Sequence, residues 1–127
     1  MTEVLDSVSA AVGAFTGRHA IAELENVDAA LLDDEQLLRD TLTTALQEAG
    51  ATVLDVTSKR IDPQGVTVLL LLSESHASVH TYPEIGKAFM DVFTCGHRAD
   101  PEYAVRLVAQ ALHTPVLRLN TIHRGDI

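Results

Sequence analysis

The sequence predicts an α+β fold: an antiparallel sheet with helices packed on one face, forming a two-layer sandwich that pairs with a second subunit. Two segments, 33–50 and 100–112, repeat apolar residues at helical spacing. Six shorter segments alternate or run apolar over strand lengths, and Pro- and Gly-bearing turns join some of them as hairpins. One of those strands, VTVLLLL from Val66 to Leu72, is apolar at every position but Thr67, so both of its faces need cover. Helices can supply one layer, and in so small a chain a second subunit is the expected source of the other.

Residues 3–14 have helical character without amphipathic order and are expected to form a short or frayed helix outside the core; residues 1–16 read as an N-terminal extension. From Arg18 to Glu25, Ala20, Ala22 and Leu24 share one parity and His19, Ile21 and Glu23 the other, which suits a strand beginning after Gly17. Asp33 then predicts a helix cap with Gln36 three residues on. Leu38, Leu42, Ala45, Leu46 and Ala49 form one stripe, and Gly50 ends the helix. Ala51–Ile61 and Val66–Leu72 read as a hairpin closed by Asp62-Pro63-Gln64-Gly65. His76–Tyr82 and Lys87–Cys95 read as two strands separated by Pro83-Glu84-Ile85-Gly86. Asp100-Pro101 opens a helix with Ala104, Val105, Val108 and Leu112 inward, and Pro115–Ile122 is a last strand.

Composition narrows the function. A chain of 127 residues, 46% hydrophobic and 21% charged, supports one domain over residues 1–127. A formal charge of −9 argues against nucleic acid, whose affinity depends on Lys and Arg displacing counterions. The one cysteine, Cys95, has no partner for an intramolecular disulfide. The acidic start lacks the positive charge of an export signal, and Val66–Leu72 is far too short to span a bilayer, so a cytoplasmic protein without membrane attachment is expected. The Arg124-Gly125-Asp126 tripeptide is read as accidental on the same ground.

Reactive side chains concentrate in SESHASVHTYPE, from Ser73 to Glu84. From the residues alone, Ser75 reads as a polar residue at a strand margin, His80 as a packed histidine, Glu84 as a solvated turn residue and Cys95 as a small buried hydrophobe. No metal site is expected: His76 and His80 are spaced for a helix but lie on a strand, and Cys95 with His97 makes only a pair.

The window ESHASVHTYPE, followed by DVFTCG at Asp91–Gly96, resembles the processing site of the prokaryotic S-adenosylmethionine decarboxylases, with its ESHxxIHTWPE and DxFTCG patterns. Gly17-Arg18-His19, Pro63-Gln64-Gly65-Val66 and the Asp100-Pro101 helix start extend the likeness over nearly the whole chain after residue 16. The resemblance implies a pyruvoyl-dependent carboxy-lyase made as a zymogen. Its chain would cut itself between Glu74 and Ser75 into a β chain of residues 1–74 and an α chain of residues 75–127. Ser75 becomes a pyruvoyl group that forms a Schiff base with the substrate amine, His80 accepts a proton during processing and Cys95 donates one during decarboxylation. The need behind this chemistry is an electrophile, since no protein side chain can act as an electron sink for a carbanion. By the same resemblance Glu84, Ile61 and Tyr82 bind substrate, and the working unit is a dimer of cleaved protomers with each site formed across the interface.

Three positions depart from the pattern: Ile61 stands where the family has a phenylalanine that stacks on adenine, Tyr82 where it has tryptophan, and Gly86-Lys87-Ala88 where it commonly has GYA. Losing an aromatic contact costs on the order of 0.5–1.5 kcal/mol beyond burial. The leading expectation is decarboxylation of S-adenosylmethionine, which supplies the aminopropyl donor of spermidine synthesis. The departures keep open a pyruvoyl-dependent decarboxylase of L-arginine or L-ornithine, and a further alternative is a non-catalytic regulatory paralogue.

Overall fold

The computed structural model describes residues 16–73 and 75–125. In chain order the elements are β1 (Thr16–Leu24), α1 (Ala29–Leu32), α2 (Glu35–Glu48), β2 (Val53–Arg60), β3 (Val66–Leu72), β4 (Ser75–Tyr82), a 3-10 turn (Pro83–Ile85), β5 (Lys87–Cys95), α3 (Pro101–Ala111) and β6 (Val116–Gly125). All strand pairings are antiparallel, and the six strands lie in the order β2-β3-β4-β5-β1-β6. This is the α+β sandwich with helices on one face that the sequence predicts. The helix expected over residues 3–14 lies outside the described residues.

The helices cover one face. Helix α2 packs over β2 and β3, α3 over β5, β1 and β6, and the two helices touch each other. The predicted α2 stripe of Leu38, Leu42, Ala45, Leu46 and Ala49 is buried against the sheet, as are Ala104, Val105, Val108 and Leu112 of the second stripe. Each fully buried leucine contributes roughly 1.5–3 kcal/mol by leaving water. From the sheet, Ala20, Ala22 and Leu24 meet the helices together with Val66, Val68, Leu70, Leu72, Ala77, Val79, Ala88, Met90 and Val92.

The helix-free face is different. Leu69 and Leu71 are 46% and 56% exposed, and Ile21, Phe89, Tyr82 and Ile122 stand out on the same side. The strand expected to be covered on both faces is therefore covered on one within a single chain.

Local chemistry corrects the sequence reading at the start of α2. The cap is Asp34, whose side chain accepts from the Leu37 amide at 3.0 Å. Asp33 instead reaches across to the β2–β3 turn, accepting from the Gly65 amide at 2.9 Å and from Arg60 at 3.1 Å. Gln36 donates to Asp40 at 2.9 Å rather than closing a capping box. The displaced assignment follows from α1, whose four residues end at Leu32 with Asp33 as C-cap, leaving the second aspartate to start the next helix. Asp28 caps α1 by accepting from the Ala30 amide. Gly50 follows the end of α2 with φ +99°, as predicted. Gly17 lies within β1 rather than before it, and a Cβ there would sit 2.6 Å from the Phe93 ring, so the position excludes a side chain.

Candidate active site

Strand register sorts the predicted site residues into two groups at opposite ends of the sheet. At one end, Ser75 opens β4 and pairs with Leu72 across the hairpin turn, its Oγ 3.4 Å from the Ser73 carbonyl oxygen. Glu74 lies outside the described residues. Cys95 closes β5 at this same end, half-buried opposite Gly17. The β4–β5 ladder pairs His76 with Phe93, so continuing it by one place sets Ser75 beside Thr94, the neighbour of Cys95. Thr94 is buried, and its hydroxyl has no hydrogen-bond partner among the described residues.

The other end holds the rest. His80 Nδ1 lies 3.2 Å from the Thr67 hydroxyl, which fixes the ring on the helix-free face. Tyr82 packs on Phe89 with centroids 5.0 Å apart, and Glu84 is exposed on the 3-10 turn that follows. Ile61, 45% exposed, sits in the β2–β3 turn at this end. His80 is five residues along β4 from Ser75, a span of about 17 Å at the rise of an extended chain. Strand alternation also directs their side chains to opposite sides of β4. Within one chain, therefore, Ser75 and Cys95 share one end of the sheet, while His80, Tyr82, Glu84 and Ile61 gather at the other.

Between the two groups, on the helix-free face, three strands converge on Asp91. His19 Nε2 on β1 lies 2.6 Å from Asp91 Oδ2, His76 Nε2 on β4 lies 3.1 Å from the same oxygen, and the Ser78 hydroxyl donates to Oδ1. Burial pushes the Asp91 carboxyl up, but hydrogen bonds from Ser78, His19 and His76 outweigh it and hold the pKa below the ordinary carboxylate value. Phe93 packs against both imidazoles, and Arg124 stands 5.0 Å over the Phe93 ring and 3.5 Å from His19 Nδ1. The ligand atoms of His19, His76 and Asp91 lie within 4.8 Å of one another. Both carboxylate oxygens are nonetheless engaged by donors and a guanidinium is adjacent, so the trio reads as a hydrogen-bonded network.

Sequence reasoning missed this network. His19 and Asp91 belong to the GRH and DVFTCG stretches and His76 follows Ser75, but only the order β4-β5-β1 makes neighbours of them. Parity was the available signal, since all three fall on the sheet side away from the helices.

These features define a small two-layer α+β protein whose helix-free sheet face gathers His19, His76, Ser78, His80 and Asp91. Residues 18–125 match the S-adenosylmethionine decarboxylase family, and the chain belongs to it. It is 54% identical over 96 residues, 76% of this chain and 77% of the relative, to the S-adenosylmethionine decarboxylase proenzyme of Prochlorococcus marinus (strain MIT 9313). It is 44% identical over 109 residues, 86% of this chain and 89% of the relative, to the S-adenosylmethionine decarboxylase proenzyme 2 of Bacillus anthracis. Its fold is similar to the crystal structure of the adenosylmethionine decarboxylase from Aquifex aeolicus VF5, with a TM-score of 0.77 at 31% identity, covering 90% of this chain and 94% of that one.

Proposed function

We propose that this chain is a self-processing, pyruvoyl-dependent S-adenosylmethionine decarboxylase of the cytoplasm, working as a dimer of cleaved protomers. The observation that carries the reading is the relatedness over residues 18–125, with Ser75, His80 and Cys95 all in place. Each relative named above is an S-adenosylmethionine or adenosylmethionine decarboxylase, which favours this substrate over arginine or ornithine despite Ile61 and Tyr82.

In processing, the Ser75 hydroxyl attacks the Glu74 carbonyl, so that an ester replaces the amide. His80 takes the Ser75 α-proton, and the bond to the ester oxygen breaks, releasing Glu74 as a chain terminus. Water then displaces ammonia to leave the pyruvoyl carbonyl. That carbonyl supplies the acceptor for the electron pair left when CO2 departs. Cys95 returns a proton to the substrate carbon, a role suited to a thiol held at the same sheet end as Ser75. Glu84, Ile61 and Tyr82 form the substrate wall.

The separation of His80 from Ser75 within one chain supports a composite site. A two-fold axis running between two helix-free faces, across the strands, sets the Ser75 end of each chain over the His80 end of the other. The exposed Leu69 and Leu71 provide apolar surface for that contact.

The test is intact mass under denaturing conditions together with labelled CO2 release from S-adenosylmethionine, arginine and ornithine. Two chains, with residues 75–127 beginning in pyruvoyl, and turnover of S-adenosylmethionine are expected. An unbroken chain, or turnover of a basic amino acid alone, rejects the proposal.

A further inference from the structure

We infer that Asp91 is a positioning residue which, through His76 and Ser78, holds the chain terminus created by cleavage in register; the inference rests on the self-processing reading above. Before cleavage, residue 75 is tethered from both sides, by β4 and by the short turn joining it to Leu72. Breaking the bond between residues 74 and 75 removes one tether and turns the first residue of a strand into a free end, the place where strands fray most readily. The ketone carried there must nevertheless stay aligned with a substrate and with Cys95. A displacement of about 1 Å at such a centre costs up to about a hundredfold in rate.

The structure supplies a second tether. His76 and Ser78, the first and third residues after Ser75, both reach Asp91 from β4, one to each carboxylate oxygen. Asp91 is itself fixed from the far side by His19 of β1 at 2.6 Å. The Phe93 ring packs against the two imidazoles, and Arg124 of β6 lies over that ring. Donors to an ionised acceptor form bonds roughly twice as strong as neutral pairs. The restraint therefore spans β4, β5, β1 and β6 and does not depend on the covalent turn that processing destroys. In the uncut chain the peptide bond to residue 74 also restrains residue 75, so the network matters most once that bond is broken.

The experiment compares cleaved wild-type enzyme with Asp91→Asn, His76→Leu and His76→Gln, with intact mass run on each. Gln places an N–H near the position of His Nε2, so it is the conservative replacement, and His76 is exposed enough for Leu to be tolerated by the fold. The expected result is two chains in every variant. Turnover number should fall about ten- to a hundredfold in Asp91→Asn and His76→Leu, with KM within about threefold and substantial recovery in His76→Gln. Amide exchange over residues 76–79 should quicken in the impaired variants after cleavage only. Wild-type turnover in both Asp91→Asn and His76→Leu overturns the inference, as does equal loss in His76→Gln and His76→Leu. Variants that stay uncut while the wild type is cut also overturn it, because Asp91 then acts on processing. A wild type that remains one chain rejects the self-processing reading and this inference with it, and is told apart by mass alone.

Discussion

Ser75 and Cys95 lie at the same end of the sheet but are assigned different events, so their replacements should fail differently. Ser75→Ala removes the attacking hydroxyl and should leave a full-length, inactive chain on a denaturing gel. Cys95→Ala should still be cut at least in part, yet lose clean turnover, with product analysis showing misdirected protonation. Asp91 carries an acid signature. Its carboxyl is held below its ordinary value, so the network's stabilisation is complete above the unfolded pKa near 3.9 and is lost as pH falls through the lower folded value. The urea midpoint of wild type should therefore exceed that of Asp91→Asn by a constant margin above about pH 5, and the margin should shrink below about pH 4. Roles for Ser75, His80 and Cys95 could be proposed from the sequence because adjacent residues carry them in two compact motifs. The Asp91 network could not be, because strands β1, β4 and β5 supply one histidine, one histidine with a serine, and one aspartate from distant parts of the chain.

At the level of elements, periodicity placed both long helices and all six strands, since burial on one side of a helix or strand leaves its period in the sequence. End chemistry was less legible. Asp33 and Asp34 are equally good caps by type, and what separates them is tertiary: the Gly65 amide and Arg60 claim Asp33 from 32 and 27 residues away. The four-residue α1 is too short to show a period. These assignments predict distinct consequences. Asp34→Ala should destabilise the chain by about 1 kcal/mol and speed exchange at the Leu37 amide. Asp33→Ala should speed exchange at the Gly65 amide and leave Leu37 protected. Hydrogen exchange followed by NMR reads both amides directly.

For the whole molecule, the apolar pattern of Val66–Leu72 leads to the expectation of a second subunit, and within one chain Leu69 and Leu71 are exposed. The proposed division of function between copies has no trace in the sequence, because His80 is only five positions from Ser75 in the chain and looks adjacent on paper. An extended strand converts those five positions into about 17 Å. If each site is completed by the facing chain, two defective chains can repair one another. A Ser75→Ala chain retains an intact His80 end, and a His80→Ala chain retains an intact Ser75 end. In a mixed dimer, one of the two composite sites is then whole. Co-expression should yield cleavage of the His80→Ala chain alone, distinguishable by mass from its uncut partner, together with measurable decarboxylation. Neither variant expressed singly should be cut to a comparable extent. A site contained within one chain allows no such repair, and if His80→Ala stays uncut in mixed dimers isolated through different affinity tags, the composite site is rejected. Leu71→Asp placed in both chains should abolish the repair by separating the dimer, which sedimentation detects independently of activity.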